Sequence, residues 1–314
     1  MVWLMSGLGL VILLLAGDAL VKGAVNLSLR VGIPALIVSL TIVAFGTSAP
    51  ELLIAISAVL EGAPGLALGN VVGSNTANIL LVLGVPALIS TLSTSECKTH
   101  KTYVFMLMAS VLFIGLAFTG VFDWKVGLIL LAALALILAD AIRDALAHRR
   151  DAKANELEDV EGADPDMPWW RIVGFLALGL VGLPLGANLL VENASIIARM
   201  YGVSDTVIGL TLVAVGTSLP ELATTVMAAL RRQADVALGN VIGSNMFNLL
   251  AIIGIASFVG PIPVDPEFLR FDLWVMLAAS LVLFPFVWMR WNMSRAWGGA
   301  FTALYVIYVV AILI

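Results

Sequence analysis

The chain has 314 residues, of which 61% are hydrophobic and 12% are charged, and its formal net charge is −5. A soluble domain carries about a quarter charged residues, so this composition excludes a soluble globular domain and indicates a membrane protein with several spans. The lone cysteine, Cys97, excludes an internal disulfide and a cysteine-based metal motif.

Ten apolar runs follow one another along the chain, each close to the ~20 residues that a helix needs to span a bilayer. The predicted spans cover residues 2–25, 34–60, 65–90, 102–120, 124–146, 169–198, 205–230, 235–258, 271–290 and 296–314. The first run has no basic n-region and no small-residue cleavage pattern, so we expect a retained span rather than a signal peptide. The expected fold class is an all-α polytopic membrane protein with ten transmembrane helices.

A polar linker at residues 148–168 divides the chain into two halves of five spans, residues 1–147 and 169–314. The stretch Gly46-Thr-Ser-Ala-Pro-Glu51, followed by Gly69-Asn-Val-Val-Gly-Ser-Asn75, returns without a change in spacing as Gly216-Thr-Ser-Leu-Pro-Glu221 and Gly239-Asn-Val-Ile-Gly-Ser-Asn245. Between 41–78 and 211–248, 20 of 38 positions are identical. Because each half has an odd number of spans, the second half must enter the membrane upside down. The sequence therefore predicts two inverted five-helix repeats with discontinuous helices at the midplane.

The distribution of basic residues predicts the orientation in the membrane. With the N-terminus outside, thirteen of the 16 Lys and Arg residues fall in inner loops or at inner helix ends, and three fall outside. Cytoplasmic loops carry the excess of Lys and Arg. We therefore expect both termini outside, the acidic linker in the cytoplasm, and residence in the cell (inner, plasma) membrane. The lipid bilayer is an expected partner, and nucleic acid is not.

Glu51 and Glu221 fall in the middle of predicted spans, where an isolated charge costs about 2.5–3.5 kcal/mol. Neither motif contains a Lys or Arg that could pair with them. A bound cation would instead offset two converging carboxylates, and the neighbouring side chains offer hard oxygen donors that suit calcium or sodium. These donors are Thr47, Ser48, Ser74, Asn75 and Asn78 in the first half, and Thr217, Ser218, Ser244, Asn245 and Asn248 in the second.

Each motif also contains a proline, Pro50 or Pro220, that has no backbone N–H. The carbonyls of Gly46 and Gly216, which lie one helical turn earlier, should therefore lose their helical partners. At membrane depth such carbonyls must face protein, water or an ion. The alternative is that the small residues only permit close helix packing. The recurrence of the whole combination in both halves favours a cation site.

The two motif blocks resemble the α-1 and α-2 repeats of the cation/calcium exchanger superfamily, most closely its prokaryotic sodium/calcium exchanger branch. The ten-span layout extends this resemblance over essentially the whole chain. For calcium, the resemblance implies ligation by Glu51 and Glu221, helped by the backbone carbonyls of Thr47 and Thr217.

For sodium, the resemblance implies flanking sites built from side-chain hydroxyls and backbone carbonyls. The implied hydroxyls are those of Ser48, Ser74, Ser218 and Ser244, and the carbonyls are those of Ala44 and Ala214. Asn78 and Asn248 match the pair at the centre of the site, although some relatives carry Asp at the second position.

The function that the resemblance implies is secondary active antiport of sodium against calcium by alternating access. Three sodium ions would exchange for one calcium ion, calcium would leave the cell, and spans one and six would slide across the remaining core. No cofactor is expected besides the transported ions, and the chain should function as a monomer. The proton-coupled branch typically has Gly-Asn before its key glutamate, which favours sodium coupling here.

Two alternatives stay open, a proton/calcium antiporter and a cation channel. An inverted repeat with a closed midplane site favours a carrier over a channel. An intramembrane enzyme is not expected, because the sequence has no His-Glu-x-x-His motif and no nucleophile and base pair.

Overall fold

The computed structural model describes residues 1–151, 164, 166–202 and 214–313; for residues 147–151, 214 and 312–313 it describes the backbone only. Most of the predicted linker and the beginning of the predicted seventh span lie outside the described residues. The prediction of a cytoplasmic acidic linker therefore stays a prediction.

Nearly all of the described chain is helical. The helices of the first half are α1 (Val2–Val31), α2 (Ala35–Thr47), α3 (Ala49–Leu60), α4 (Pro64–Ile89), α5 (His100–Ala117) and α6 (Trp124–Asp151). Those of the second half are α7 (Trp169–Met200), α8 (Ala214–Thr217), α9 (Leu219–Leu230), α10 (Ala234–Val259), α11 (Pro266–Arg270), α12 (Asp272–Trp288) and α13 (Arg295–Leu313).

Six of the described helices are long and apolar enough to cross a membrane, and a seventh span results if α2 and α3 are joined across their bend. Three further apolar helices, α9, α12 and α13, are shorter. The structure thus confirms a helical protein with several spans, while helix length alone does not establish ten.

Two small contacts between loops depart from a purely helical fold. Val121–Phe122 (β1) pairs antiparallel with Ile262–Pro263 (β2). A separate antiparallel bridge joins Leu92 to Met293. Each contact connects a loop of the first half to a loop of the second, so the halves are interlocked at two places.

Helices α1 and α7 pack antiparallel along their lengths, and glycines make the close approach possible. A Cβ on Gly9 would lie 2.7 Å from the main-chain nitrogen of Leu190, and one on Gly179 would lie 2.5 Å from the Cβ of Leu20. In a bilayer, helices associate by such close packing, because lipid is as apolar as the side chains. The pair forms one layer against the rest of the molecule.

The interior is built around α4 and α10. Every residue from Ala234 to Ile253 of α10 is buried or nearly so, as is most of Ala67–Gly84 in α4. Both helices widen into a π-helical turn, at Asn78–Val82 and at Phe247–Ile252. Such turns are frequent at functional sites, and these two contain the predicted central residues Asn78 and Asn248.

Candidate functional site

The first polar motif interrupts a helix where its proline predicts. Helix α2 ends at Thr47 and α3 begins at Ala49, and the two helices meet at an angle of 41°. Ser48 between them has φ −85° and ψ 4°, outside the helical range. Because Pro50 has no N–H, the carbonyl of Gly46 has no i+4 donor and the helix cannot continue unbroken.

The second motif repeats this geometry. Helix α8 ends at Thr217, α9 begins at Leu219, and Ser218 between them has φ −88° and ψ 6°. The predicted discontinuity is therefore present in both halves.

Each break places a glutamate in the first turn of the following helix. Glu51 lies in the first turn of α3 and Glu221 in that of α9, where free backbone N–H groups favour negative charge. The side chains are fully buried, with 1% and 0% of their surface exposed. The two breaks lie close together, because the hydroxyl of Ser48 in the first break reaches the Glu221 carboxylate that follows the second. In the described part of the chain, neither is paired with a Lys or Arg.

The two carboxylates differ in their hydrogen bonds. Ser48 donates to Oε1 of Glu221 at 3.2 Å, and Ser244 donates to the same oxygen at 3.5 Å. Both oxygens of Glu51 lack a hydrogen-bond partner among the described residues. Ser48 comes from the opposite half of the chain to Glu221, so the site is shared between halves.

Several other oxygens around the carboxylates are buried and unsatisfied. Within the described ranges, eight oxygen atoms of the predicted donor residues have no hydrogen-bond partner: Glu51 Oε1 and Oε2, Ser74 Oγ, Asn75 Oδ1, Asn78 Oδ1, Ser218 Oγ, Glu221 Oε2 and Asn248 Oδ1. An unsatisfied buried polar group costs about 1–3 kcal/mol, and each one in a native structure needs an explanation. Bound cations would provide such oxygens with the partners that the protein does not.

The donor set also restricts the kind of cation. Among the described residues, no group of three or more His, Cys, Asp and Glu could hold a metal ion. The site combines two carboxylates with hydroxyl and amide oxygens, which suits a hard cation and does not suit zinc or copper.

The threonines of the motifs turn their hydroxyls toward asparagines that the sequence interpretation did not single out. Thr47 donates to Oδ1 of Asn240 at 3.3 Å, and Thr217 donates to Oδ1 of Asn70 at 3.4 Å. The repeat relates these two contacts, because Thr47 corresponds to Thr217 and Asn70 corresponds to Asn240. The calcium-ligand role of the two threonine carbonyls stays a prediction.

Asn70 and Asn240 could have been found from their spacing. Asn70, Ser74 and Asn78 follow one another at intervals of four, which places them on one face of α4. Asn240 also donates to the Glu221 carbonyl at 3.4 Å and thereby braces the first turn of α9.

The carbonyl of Ala44 accepts the backbone N–H of Ser48 at 3.1 Å and the Thr47 hydroxyl at 3.3 Å. In the second half, the N–H of Ser218 bonds instead to the carbonyl of Val215 at 3.0 Å. Ala214 begins helix α8. The sodium-ligand role of the two alanine carbonyls stays a prediction.

Comparison with known proteins gives a consistent result over the whole chain. The family described as sodium/calcium exchanger protein matches residues 1–142 and 171–314. The sodium/calcium exchanger MaX1 of Methanosarcina acetivorans is 34% identical, over 97% of this chain and 96% of its own. The putative antiporter CaxA of Alkalimonas amylolytica is 36% identical, over 88% of this chain and 86% of its own.

Among solved structures, the sodium-calcium exchanger NCX_Mj soaked with sodium and strontium superposes with a TM-score of 0.82 at 32% sequence identity. The match covers 99% of each chain. The fold and the relative placement of the helices are therefore shared with that protein.

Proposed function

Because the chain belongs to the sodium/calcium exchanger protein family, we propose that it is a secondary active antiporter that exchanges sodium for calcium by alternating access. The observation that carries this proposal is the pair of buried carboxylates, Glu51 and Glu221, which come from opposite halves and have no basic partner in the described chain. Calcium bridges them, and sodium ions displace it by occupying the same oxygens.

The proposed ratio of three sodium ions to one calcium ion follows from the resemblance of the motifs to the exchanger family. Two carboxylates balance one calcium ion, and the central residues Asn78 and Asn248 add no charge. Three sodium ions at the same ligands leave one net positive charge, so each cycle moves charge across the membrane. A potential of 100 mV then contributes about 2.3 kcal/mol per cycle, and inward sodium flow extrudes calcium.

The same proposal includes ten spans arranged as two inverted repeats. The loop contacts are compatible with this topology, because β1 and β2 would both lie outside, whereas Leu92 and Met293 would both lie inside. Contacts within the site are also related by the repeat. Thr47 with Asn240 corresponds to Thr217 with Asn70.

Two arginines support the orientation with both termini outside. Arg232 and Arg290 have positive φ angles of 55°. The corresponding positions of the first repeat are Gly62 and Gly120, which also have positive φ. In the proposed orientation the two arginines face the cytoplasm and the two glycines face outward. A basic residue at a turn that favours glycine fits the excess of positive charge on the inner side.

The proposed moving unit is the pair α1 and α7. Their glycine-mediated contact lets them travel together, and among the described residues they contribute none of the predicted ion ligands. The remaining helices hold the site, so one chain contains everything that the cycle needs and a monomer is sufficient.

A proton/calcium antiporter is the second candidate function. It is favoured by the two unpaired oxygens of Glu51, because a proton there would satisfy a buried carboxylate as a cation does.

The decisive experiment is calcium uptake into proteoliposomes loaded with sodium, with potassium, or with an imposed pH gradient. The test variants are Glu51→Gln and Glu221→Gln, and the matched control is Glu192→Gln, which removes an exposed carboxylate of α7. We expect uptake only with outward sodium, lost in both test variants and retained in the control. Uptake driven by pH alone would establish proton coupling. A calcium leak that needs no counter-ion would identify a channel.

A further inference from the structure

Asn75 and Asn245 form a reciprocal pair between α4 and α10. The side-chain Nδ2 of Asn75 donates to the carbonyl of Asn245 at 3.1 Å, and Nδ2 of Asn245 donates to the carbonyl of Asn75 at 3.2 Å. Both side chains are buried, with 1% of their surface exposed. The two residues occupy the same position in the two repeats, so this contact lies where the two copies of the motif meet.

The two amides differ in what their oxygens do. Oδ1 of Asn245 accepts a hydrogen bond from Nδ2 of Asn78 at 3.1 Å. Oδ1 of Asn75 is buried and accepts none from the described residues. The amide of Asn248, which corresponds to Asn78, is likewise without a hydrogen bond in that part of the chain. Only one of the two central asparagines is therefore held in one orientation.

This orientation matters because an amide has two unlike ends. Its oxygen attracts a cation, whereas its NH2 group carries positive partial charge and repels one. Because Nδ2 of Asn78 is engaged by Asn245, the atom left free is Oδ1, which is buried and unsatisfied within the described chain.

We propose that Asn245 is a positioning residue that holds the Asn78 amide with its oxygen toward the transported cation. This inference rests on the proposed function, since it assigns Asn245 a task in the same ion site. Both ends of the Asn245 amide are engaged, since Oδ1 accepts from Asn78 and Nδ2 donates to the Asn75 carbonyl.

Ser39 provides a matched control outside the ion site. Asn245→Ala and Ser39→Ala each remove one buried hydrogen bond between an α10 residue and a neighbouring helix, at 3.2 and 2.7 Å. Only Asn245→Ala also removes the acceptor for Asn78. The measurement is the calcium concentration that gives half of the calcium-induced rise in unfolding temperature, for detergent-purified protein in a calcium-buffered solution.

We expect Asn245→Ala to raise this midpoint roughly tenfold or more, because the contact between the Asn78 oxygen and the cation is lost, and Ser39→Ala by at most about twofold. Without calcium and sodium, both variants should lose thermal stability, and Asn245→Ala should lose more because it also removes the acceptor for Asn78. If Asn245→Ala does not fold, Asn245→Ser replaces it, since the shorter hydroxyl does not reach the Asn78 amide.

A second test, made in the Asn78→Asp variant, separates the positioning of the Asn78 side chain from general support of the fold. Asn78→Asp replaces the amide with a carboxylate that presents oxygen whichever way it turns. In that background, Asn245→Ala should change the midpoint by at most about twofold, because there is no wrong orientation left to prevent.

Two results would overturn the inference: equal midpoint shifts in Asn245→Ala and Ser39→Ala, or an Asn245→Ala shift that persists in the Asn78→Asp background. Failure of the proposed function looks different. In that case calcium would not stabilise the unmutated protein, or would stabilise Glu221→Gln equally well.

Discussion

The hydroxyl of Ser48 lies 3.2 Å from a carboxylate oxygen of Glu221, and this contact joins the break in the first half to the carboxylate of the second. The corresponding residues, Ser218 and Glu51, form no such hydrogen bond within the described chain. The hydrogen bonds of the site are therefore asymmetric although its two motifs are nearly identical. Glu221 is partly satisfied by protein donors, whereas Glu51 depends on whatever occupies the site.

This asymmetry predicts different effects for the two serines. Ser48→Ala removes a hydrogen bond to a carboxylate and should lower the ion-free free energy of unfolding by about 1.5–3 kcal/mol. Ser218→Ala removes no side-chain hydrogen bond seen in the described structure and should leave that energy nearly unchanged. Thermal or denaturant unfolding in sodium-free buffer with a calcium chelator measures both. Equal losses would show that the contact between Ser48 and Glu221 does not stabilise the ion-free protein.

The packing of α1 on α7 predicts that its contact glycines tolerate no side chain. A Cβ on Gly9 would meet the Leu190 main chain at 2.7 Å, and one on Gly186 would meet Leu13 at 2.8 Å. Gly9→Ala and Gly186→Ala should each cost about 1–3 kcal/mol of stability by overpacking, and calcium uptake should slow as the pair is forced apart.

Gly7 and Gly174 are the matched controls, because a Cβ at either would meet nothing within 4 Å. Alanine at these positions should be neutral or stabilise the helix by up to about 1 kcal/mol. Losses of the same size at all four glycines would mean that helix flexibility, and not the close contact, is what these residues provide.

Asp18 forms two ion pairs near the middle of α1. It lies 2.9 Å from Lys22, as the four-residue spacing predicts, and it also pairs with Arg231 at the end of α9. The Asp18 and Arg231 side chains are 19% and 22% exposed. Asp18→Asn should lower stability by about 1–3 kcal/mol, less than the roughly 3–5 kcal/mol of a fully buried pair because water still reaches both groups.

Lys101→Met is the control for this prediction. Lys101 bridges Asp140 and Asp144, and its side chain is 46% exposed. An exposed pair contributes about 0–1 kcal/mol, so the control should unfold almost as the unmutated protein does. If Asp18→Asn lowered the stability as little as the control does, the ion pair between α1 and α9 would not contribute to the stability of the fold.

At the two turns with positive φ, substitution by glycine and substitution of glycine should change the free energy of unfolding in opposite directions. Arg232 has φ 55° where the first half has Gly62 with φ 76°. Arg232→Gly should relieve strain and raise the free energy of unfolding by about 0.5–1 kcal/mol, whereas Gly62→Ala should lower it by about 1 kcal/mol. Nothing lies within 4 Å of a Cβ at Gly62, so backbone conformation alone accounts for the loss. Chemical denaturation of the two variants measures the difference, and a stabilised Gly62→Ala would contradict the argument.

Some features of the site follow from the sequence because their causes are local. Pro50 and Pro220 lack an N–H wherever they stand, so the helix breaks at Ser48 and Ser218 were predictable. The ends of most helices also follow the predicted spans to within a few residues, because apolar length is itself a local property. Helix length does not establish the count of ten spans, since α9 and α12 are short and residues 203–213 lie outside the described chain.

Other features required the packed structure because they join residues far apart in the chain. The hydrogen bonds of Thr47 with Asn240 and of Thr217 with Asn70 span the two halves. A single sequence does not show which distant residues lie close together in the fold, and the two asparagines are ordinary members of the repeated motif. Spacing by four indicated a shared face of α4 but not the partner across from it.

The sequence by itself determined that this is a helical membrane protein with a duplicated, carboxylate-containing motif. Hydropathy, proline geometry and repetition depend only on local sequence, so they can be recognised without the fold. The tertiary structure alone decided that Ser48 donates to Glu221, that Asn245 engages Asn78, and that the Glu51 carboxylate has no hydrogen bond within the described chain. Because the two motifs are nearly identical in sequence, local sequence cannot explain why their hydrogen bonds differ. Their difference arises from the helices packed around them, and those neighbours are set only when the chain is folded.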